Sequence, residues 1–378
     1  MLWDDLREEL NKIKDKNLFR TLKMRGEVGK DFRSNNYLGL SRHPEVIESA
    51  REAVSEFGCG AEASRLVGGT LKLHLDLECE IAKFKGTESA LVFPSGFQTN
   101  LGIISALLDN RDFIVADHLS HASLIDAARL SSASFRTYPH LKLDHLESIL
   151  SKEVSRRARR RFVLTDGLFS MDGDIPDLSL LLKVIERFDA YLIIDDAHGT
   201  GTIGKTGRGI FEHFGLAPSE RTIIMGTLSK ALGSQGGFIA GEKILIDYLI
   251  NCCRSFIYTT GLSPASAAGA LTALRIINRE PQRVLRLQQN SLTLRTLLGE
   301  KFNIQTHPPT PIIPVIFGAE ECALNAAHSL EEKGFNVIAI RPPTVKPNSS
   351  RLRICVSSEH TQADIEALAR AIVTLIPH

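Results

Sequence analysis

Four short segments of this 378-residue chain end in residue types that can do chemistry, each just beyond an apolar run. AYLIIDDAH delivers Asp195, Asp196 and His198, and RTIIMGTLSK delivers Thr227, Ser229 and Lys230. SALVFPSGFQTN turns at Ser95, Gly96 and Phe97, and DFIVADHLSHAS turns at His118 and His121. Acids at the end of an apolar strand need a cationic partner or a polar loop. A lysine held beside an apolar sheet has its ammonium form disfavoured, which suits an amine that forms Schiff bases. A strand-to-helix junction such as Ser95-Gly96-Phe97 can hold phosphate on its backbone N–H groups. Taken singly, each has a plainer reading. Lys230 is then an exposed charge, His121 a helix cap or packed residue, and the His118/His121 pair lacks a third ligand for a metal.

The elements that must position these residues are legible as a pattern. From about Pro44 to Ala273, helix-period segments alternate with short apolar runs: SALVFPSG, DFIVAD, SFRTYPH, RFVLTDG, AYLIIDD, RTIIMGT and GGFIAG. Continuous apolar strands between amphipathic helices predict an α/β architecture with a largely parallel sheet covered on both faces. In such sheets ligands bind beyond the carboxyl ends of the strands, which is where the four segments end. After about Arg275 the texture changes. A long helix from Pro281 to Lys301 precedes PIIPVIF, a helix ending at Gly334, NVIAIRPPT, RLRICVS and a helix from Thr361, which together predict a smaller α+β domain. The expected organisation is an N-terminal helix and arm over 1–43, including a basic stretch Arg20–Arg25, a large domain over 44–274 and a small one over 275–378.

Composition narrows the class. The length allows two domains, and 45 Lys plus Arg against 44 Asp plus Glu gives a net charge of +1. That balance excludes a dedicated nucleic-acid binder. No apolar run reaches the roughly 18 residues that cross a bilayer, and the start MLWDDLREEL is charged where a signal peptide is apolar, so a cytoplasmic protein with no membrane association is expected. The six cysteines form no C-x-x-C pair and are expected to be buried free thiols, with no zinc site and no other metal. The arginine-rich run RRARRR at 156–161 reads first as a solvated helix end and second as a docking surface.

One segment imitates a nucleotide site. Gly199–Thr206, GTGTIGKT, matches both the Walker A pattern and G-x-G-x-x-G. Those motifs work only where a strand ends at the first glycine and a helix opens directly after the loop. Here four residues follow the strand first, and Gly207 and Gly209 interrupt any helix after Lys205. A glycine-rich surface loop is expected instead.

The set of strand-end groups says more than any member. An acid, a later lysine, an earlier phosphate-type junction and an imidazole are the parts that pyridoxal 5′-phosphate requires. The motifs NNYLGLSRHPEV, ASRLVGGTLKLHLDLECEIAKFKG, PSGFQTN, DHLSHASLIDAARL, TDGLFSMDGD, DDAHGTG, GTLSKALG and RPPTVKPNSSRLRI extend the pattern over nearly the full chain. On them the chain resembles the α-oxoamine synthases, a family of fold-type I pyridoxal-phosphate transferases. DDAHGTG and RPPTV make it most similar to the biotin-pathway branch.

The resemblance implies a large, mainly parallel seven-stranded sheet domain, a smaller α+β domain and a homodimer with shared active sites. It implies that Lys230 would hold the cofactor, Asp195 would pair with its ring nitrogen, and His121 would stack on the ring. His198 and Ser170 would lie at its phenolic oxygen. Gly96, Phe97 and Thr227 would hold its phosphate, joined by Thr260 from a second subunit. Arg353, helped by Asn35, would clamp the amino-acid carboxylate, and Arg20 and Thr344 would touch the acyl chain. The implied activity is decarboxylative condensation of L-alanine with a pimeloyl thioester carried on CoA or an acyl carrier protein. The arginine run at 156–161 is the candidate contact for an acidic carrier. The competing readings are glycine C-acetyltransferase or another member of the family, and, remotely, a P-loop nucleotide-binding protein.

Overall fold

The computed structural model describes residues 1–22 and 29–375. Lys23, Met24 and Arg25 of the basic stretch Arg20–Arg25 therefore lie outside the described residues. Residue contacts divide the chain into two units, one of residues 35–170 and 174–287, the other of 1–34, 171–173 and 288–378.

The strands in chain order are β1 (Lys30–Asp31), β2 (Ser89–Phe93), β3 (Phe113–Asp117), β4 (Ser134–Tyr138), β5 (Arg161–Asp166), β6 (Ala190–Asp195), β7 (Thr222–Thr227), β8 (Gly237–Gly241), β9 (Ile312–Gly318), β10 (Phe335–Asn336), β11 (Ile338–Ile340) and β12 (Ser350–Cys355). The larger unit is built on a seven-stranded sheet of order β2-β8-β7-β6-β5-β3-β4. Its seven strands are the seven apolar runs read from the sequence. β8 runs antiparallel to β2 and β7, and the other pairs are parallel. Every residue of β3, β7 and β8 is buried, which is why these segments are apolar without alternation. β4 lies at the edge, and its polar sequence SFRTY leaves three residues exposed.

Register brings the chemistry to one end. Asp166 of β5 is the Cα partner of Asp195 of β6, which is in turn the partner of Met225 of β7. Helix caps set the junctions. Ser95 Oγ accepts from Gln98 N at 3.2 Å, starting the helix Gly96–Leu107 directly after β2.

The smaller unit holds an antiparallel sheet β11-β12-β9 and the short parallel pair β1-β10. Its helix Leu2–Asp15 has no buried residue, and Thr361 starts the helix Gln362–Val373 with a capping box. Among the described residues no helix is long and apolar enough to cross a membrane.

Three expectations need correction. Only Cys253 and Cys355 are buried, while Cys59, Cys79, Cys252 and Cys322 are exposed. The GTGTIGKT segment is not a surface loop, because residues 199–204 are all buried. A Cβ on Gly199 would lie 1.9 Å from Asp196 Oδ1, and one on Gly209 would lie 1.8 Å from Asp196 Oδ2. The glycines are thus needed to let the backbone fold around the Asp196 carboxylate. The arginine run is not wholly solvated either. Arg159 and Arg160 donate to Asp112, itself 1% exposed, and Arg161 donates to the Ser155 and Arg156 carbonyls. The run is split by the strand β5 that it enters, so only Arg156 and Arg157 remain on an exposed helix end.

Candidate active site

In the larger unit, a hydrogen-bonded chain links three strand-end segments. Asn100 Nδ2 donates to Asp195 Oδ2 at 2.8 Å and to Ser123 Oγ at 2.9 Å. The Ser123 hydroxyl meets His121 Nδ1 at 2.8 Å. Ala197 N donates to the other oxygen of Asp195 at 3.0 Å. The acid that was expected to meet a ring nitrogen is therefore aimed by a helix residue and a backbone amide. Asn100 escaped the sequence reading. Its signal was position, since it sits one helical turn beyond Gly96 and faces the same way.

His121 does cap its helix, as the plainer reading held, with Nδ1 accepting from Ser123 N at 3.3 Å. That bond places the neutral ring's proton on Nε2. Burial lowers its pKa; the charge of Asp195 opposes this and that of Lys230 adds to it. Capping and stacking are compatible roles, because the cap uses a ring edge and stacking uses a face.

Behind His121, its backbone N donates to Asp166 Oδ1 at 3.0 Å. Burial pushes the Asp166 carboxyl well above its usual range, and the neighbouring charge of Asp195 pushes the same way. Two carboxyls in register on adjacent strands disfavour a second charge, which is why the pair raises Asp166. Asp196 points elsewhere and pairs with Lys85 at 2.8 Å, both side chains being 2% exposed.

The phosphate-type junction is tightly packed. A Cβ on Gly237 would lie 2.4 Å from Thr99 Oγ1 and 2.7 Å from Gly96 Cα. Only glycine lets β8 pass this close beneath the helix start. Ser95 takes Gln98 N with its hydroxyl and Thr99 N with its carbonyl. The amides of Gly96 and Phe97 have no partner within the helix, by helix geometry. Thr227 Oγ1, 4% exposed as a residue, sits beside Gly96 and meets Ser229 Oγ at 2.8 Å. Lys230 follows at once and is half-buried.

Tyr37, another residue the sequence reading passed over, holds two predicted site residues. Its hydroxyl donates to Asn35 Oδ1 at 3.0 Å and so accepts from His198 Nδ1 at 2.8 Å. Ser170 lies half-buried in the loop after β5. Thr260 is exposed and bridges to Ser64.

The remaining predicted residues lie in the smaller unit. Arg353 is 6% exposed on the central strand β12, with Nη1 2.9 Å from Cys355 Sγ. Arg351, on the same face of that strand, is engaged by Asp172. Arg20 and Thr344, 324 positions apart, meet at 3.2 Å from Arg20 Nη2 to Thr344 Oγ1.

These groups fit pyridoxal phosphate. An acid aimed by fixed donors, an amide-lined glycine corner with a threonine hydroxyl, a neutral imidazole and a lysine lie at the carboxyl ends of strands of one sheet. The fold and site define a pyridoxal-phosphate enzyme of the acyltransferase type, and the chain belongs to the aminotransferase class I and II family, matched over residues 30–372. More particularly, it is 43% identical over 98% of its length to a protein of Aquifex aeolicus named putative 8-amino-7-oxononanoate synthase, 98% of which is covered. It is 40% identical to 8-amino-7-oxononanoate synthase 2 of Bacillus subtilis, with 96% of this chain and 95% of that protein covered. Among solved structures, serine palmitoyltransferase from S. paucimobilis superposes with a TM-score of 0.90 at 28% identity, over 99% of this chain and 97% of that one. The 8-amino-7-oxononanoate synthase of Francisella tularensis gives 0.79 at 29%, over 92% and 98%.

Proposed function

We propose that this enzyme condenses L-alanine with a pimeloyl thioester, giving 8-amino-7-oxononanoate, carbon dioxide and the free thiol, as a cytoplasmic step of biotin formation. The observation that carries the reading is near-full-length identity of about 40–44% to proteins bearing that enzyme's name, together with the Asn100–Asp195–His121 network beside Lys230.

When bound, pyridoxal phosphate supplies an electron sink beside the amino-acid Cα. The Lys230 amine removes the Cα proton, and Asp195 keeps a proton on the cofactor's ring nitrogen. Arg353 clamps the alanine carboxylate with its guanidinium fork, and Asn35 assists. The Cα bonds to the thioester carbonyl carbon, and the C–S bond breaks with its electron pair leaving on sulfur. The Cα–carboxylate bond then breaks as carbon dioxide departs, and protons return to Cα and to sulfur. Arg20 and Thr344 meet the acyl chain.

The enzyme works as a homodimer in which Thr260 reaches the partner's phosphate site. This is supported by Thr260's exposure and by the exposed apolar residues around its bridge to Ser64: Leu66 (55%), Val67 (80%) and Tyr258 (71%).

Catalytic efficiency with alanine and pimeloyl-CoA or a pimeloyl carrier protein, against glycine and acetyl-CoA, tests the substrate assignment. The first pair is expected to win by about tenfold or more, since each buried methylene adds about 0.8 kcal/mol. Arg20→Ala should lower efficiency for pimeloyl while alanine binding stays unchanged. Faster turnover of glycine with acetyl-CoA would reassign the branch.

A further inference from the structure

His140 lies at the end of edge strand β4 and belongs to none of the groups placed on the cofactor. Its Nδ1 is 3.0 and 3.1 Å from the two oxygens of Asp117, and its Nε2 is 2.9 Å from Asp174 Oδ2. A carboxylate only accepts, so a ring bonded to one on each nitrogen is an imidazolium. Burial opposes that charge, but the hydrogen bonds to Asp117 and Asp174 win and push His140 up to about 10. No ring nitrogen is left to act on a substrate.

What the ring joins is informative. Asp117, fully buried at the end of β3, folds the turn that delivers His121: its Oδ1 accepts from Leu119 N at 2.9 Å and its backbone carbonyl from Ser120 N at 3.0 Å. Asp174 closes the loop that carries Ser170, its carbonyl accepting from Phe169 N at 2.9 Å. The His140 ring also stands edge-on to Phe169, with centroids 4.4 Å apart. One cation therefore spans the two loops on which His121 and Ser170 ride.

We infer that His140 is a positioning residue, an imidazolium clamp that sets the spacing between the His121 turn and the Ser170 loop and so tunes cofactor affinity. The inference rests on the placement of His121 and Ser170 at the cofactor.

The test is equilibrium dialysis of the full-length apoprotein against pyridoxal phosphate, with folding followed by far-UV circular dichroism. His140→Gln is expected to weaken binding about tenfold, the scale on which residues supporting a bound group act. His140→Arg, which restores a forked cation between the carboxylates, should recover part of that loss. Asp174→Asn should weaken binding too, and the double variant His140→Gln/Asp174→Asn should be no worse than the poorer single one, because both cut the same link. If His140→Gln does not fold, Asp174→Asn decides, since it leaves the Asp117 bond in place. A folded variant that melts earlier yet binds the cofactor within about twofold of the parent would overturn the inference, leaving His140 a stabilising residue only. Ser170→Ala and His121→Ala separate the two failures: if neither alters binding, the site assignment itself is at fault.

Discussion

Replacing Lys85 by Met should expose how strongly the sheet's end depends on one buried ion pair. Lys85 Nζ donates to Asp196 Oδ2 and to the Arg208 carbonyl, each at 2.8 Å, and both side chains of the pair are 2% exposed. Methionine keeps the stem's volume but leaves the Asp196 carboxyl with backbone donors only, chiefly Ile210 N. Breaking a buried pair from one side costs about 3–5 kcal/mol. The pH dependence is the sharper signature. Burial already pushes Asp196 up, and Lys85 is the first influence opposing it. Without Lys85 the folded pKa rises further above the unfolded value of about 3.9. An acid raised in the folded state favours folding when protonated. Its contribution is therefore intact below the unfolded pKa and is lost as pH climbs through the folded one. The deficit of the variant should widen once pH passes the parent's own raised Asp196 pKa, by up to about 1.4 kcal/mol per unit, until Asp196 ionises in the variant's folded chain. Urea unfolding of parent and variant at about pH 5 and about pH 8, followed by far-UV circular dichroism, measures this. Lys85→Met/Asp196→Asn should recover most of the loss and abolish its pH dependence. A deficit below about 1 kcal/mol, or one equal at both pH values, would refute the reasoning.

The other expected outcomes concern chemistry and charge. Lys230→Ala should abolish turnover and the visible absorbance of covalently held cofactor while circular dichroism stays unchanged; a borohydride-trapped adduct on another lysine would reassign the attachment. Asp195→Asn should still bind cofactor but lose exchange of the alanine Cα hydrogen with deuterium oxide, and near-normal exchange would show that Asp195 does not serve the ring nitrogen. Arg159→Gln/Arg160→Gln should lower the urea midpoint, because Asp112, held down to about 2 by these arginines against its burial, loses both cations. Arg156→Gln/Arg157→Gln should leave the midpoint unchanged, and equal effects of the two pairs would contradict the split of the run.

Periodicity and burial made the large sheet readable in advance. A strand buried on both faces must be apolar throughout, and AYLIIDD or RTIIMGT has no other economical fate between amphipathic helices. The strand-end groups were legible for the same reason, because polar residues following such runs stand where a sheet opens to ligand. Lys230, His121, the Asp195–Asp196 pair and the Ser95–Phe97 junction could all be named as candidates from local pattern, and the family resemblance alone singled out Asp195. What the chain alone left undetermined are choices between equals. Nothing local distinguishes Asp195 from Asp196, yet register sends one to Asn100 and the other to Lys85, 111 positions earlier. Nor could spacing show that GTGTIGKT wraps that second carboxylate, or that His140 spans Asp117 and Asp174. These are long-range pairings of polar groups, worth little in water and much once buried. Only the packed fold removes the water, and only there does each donor meet its acceptors.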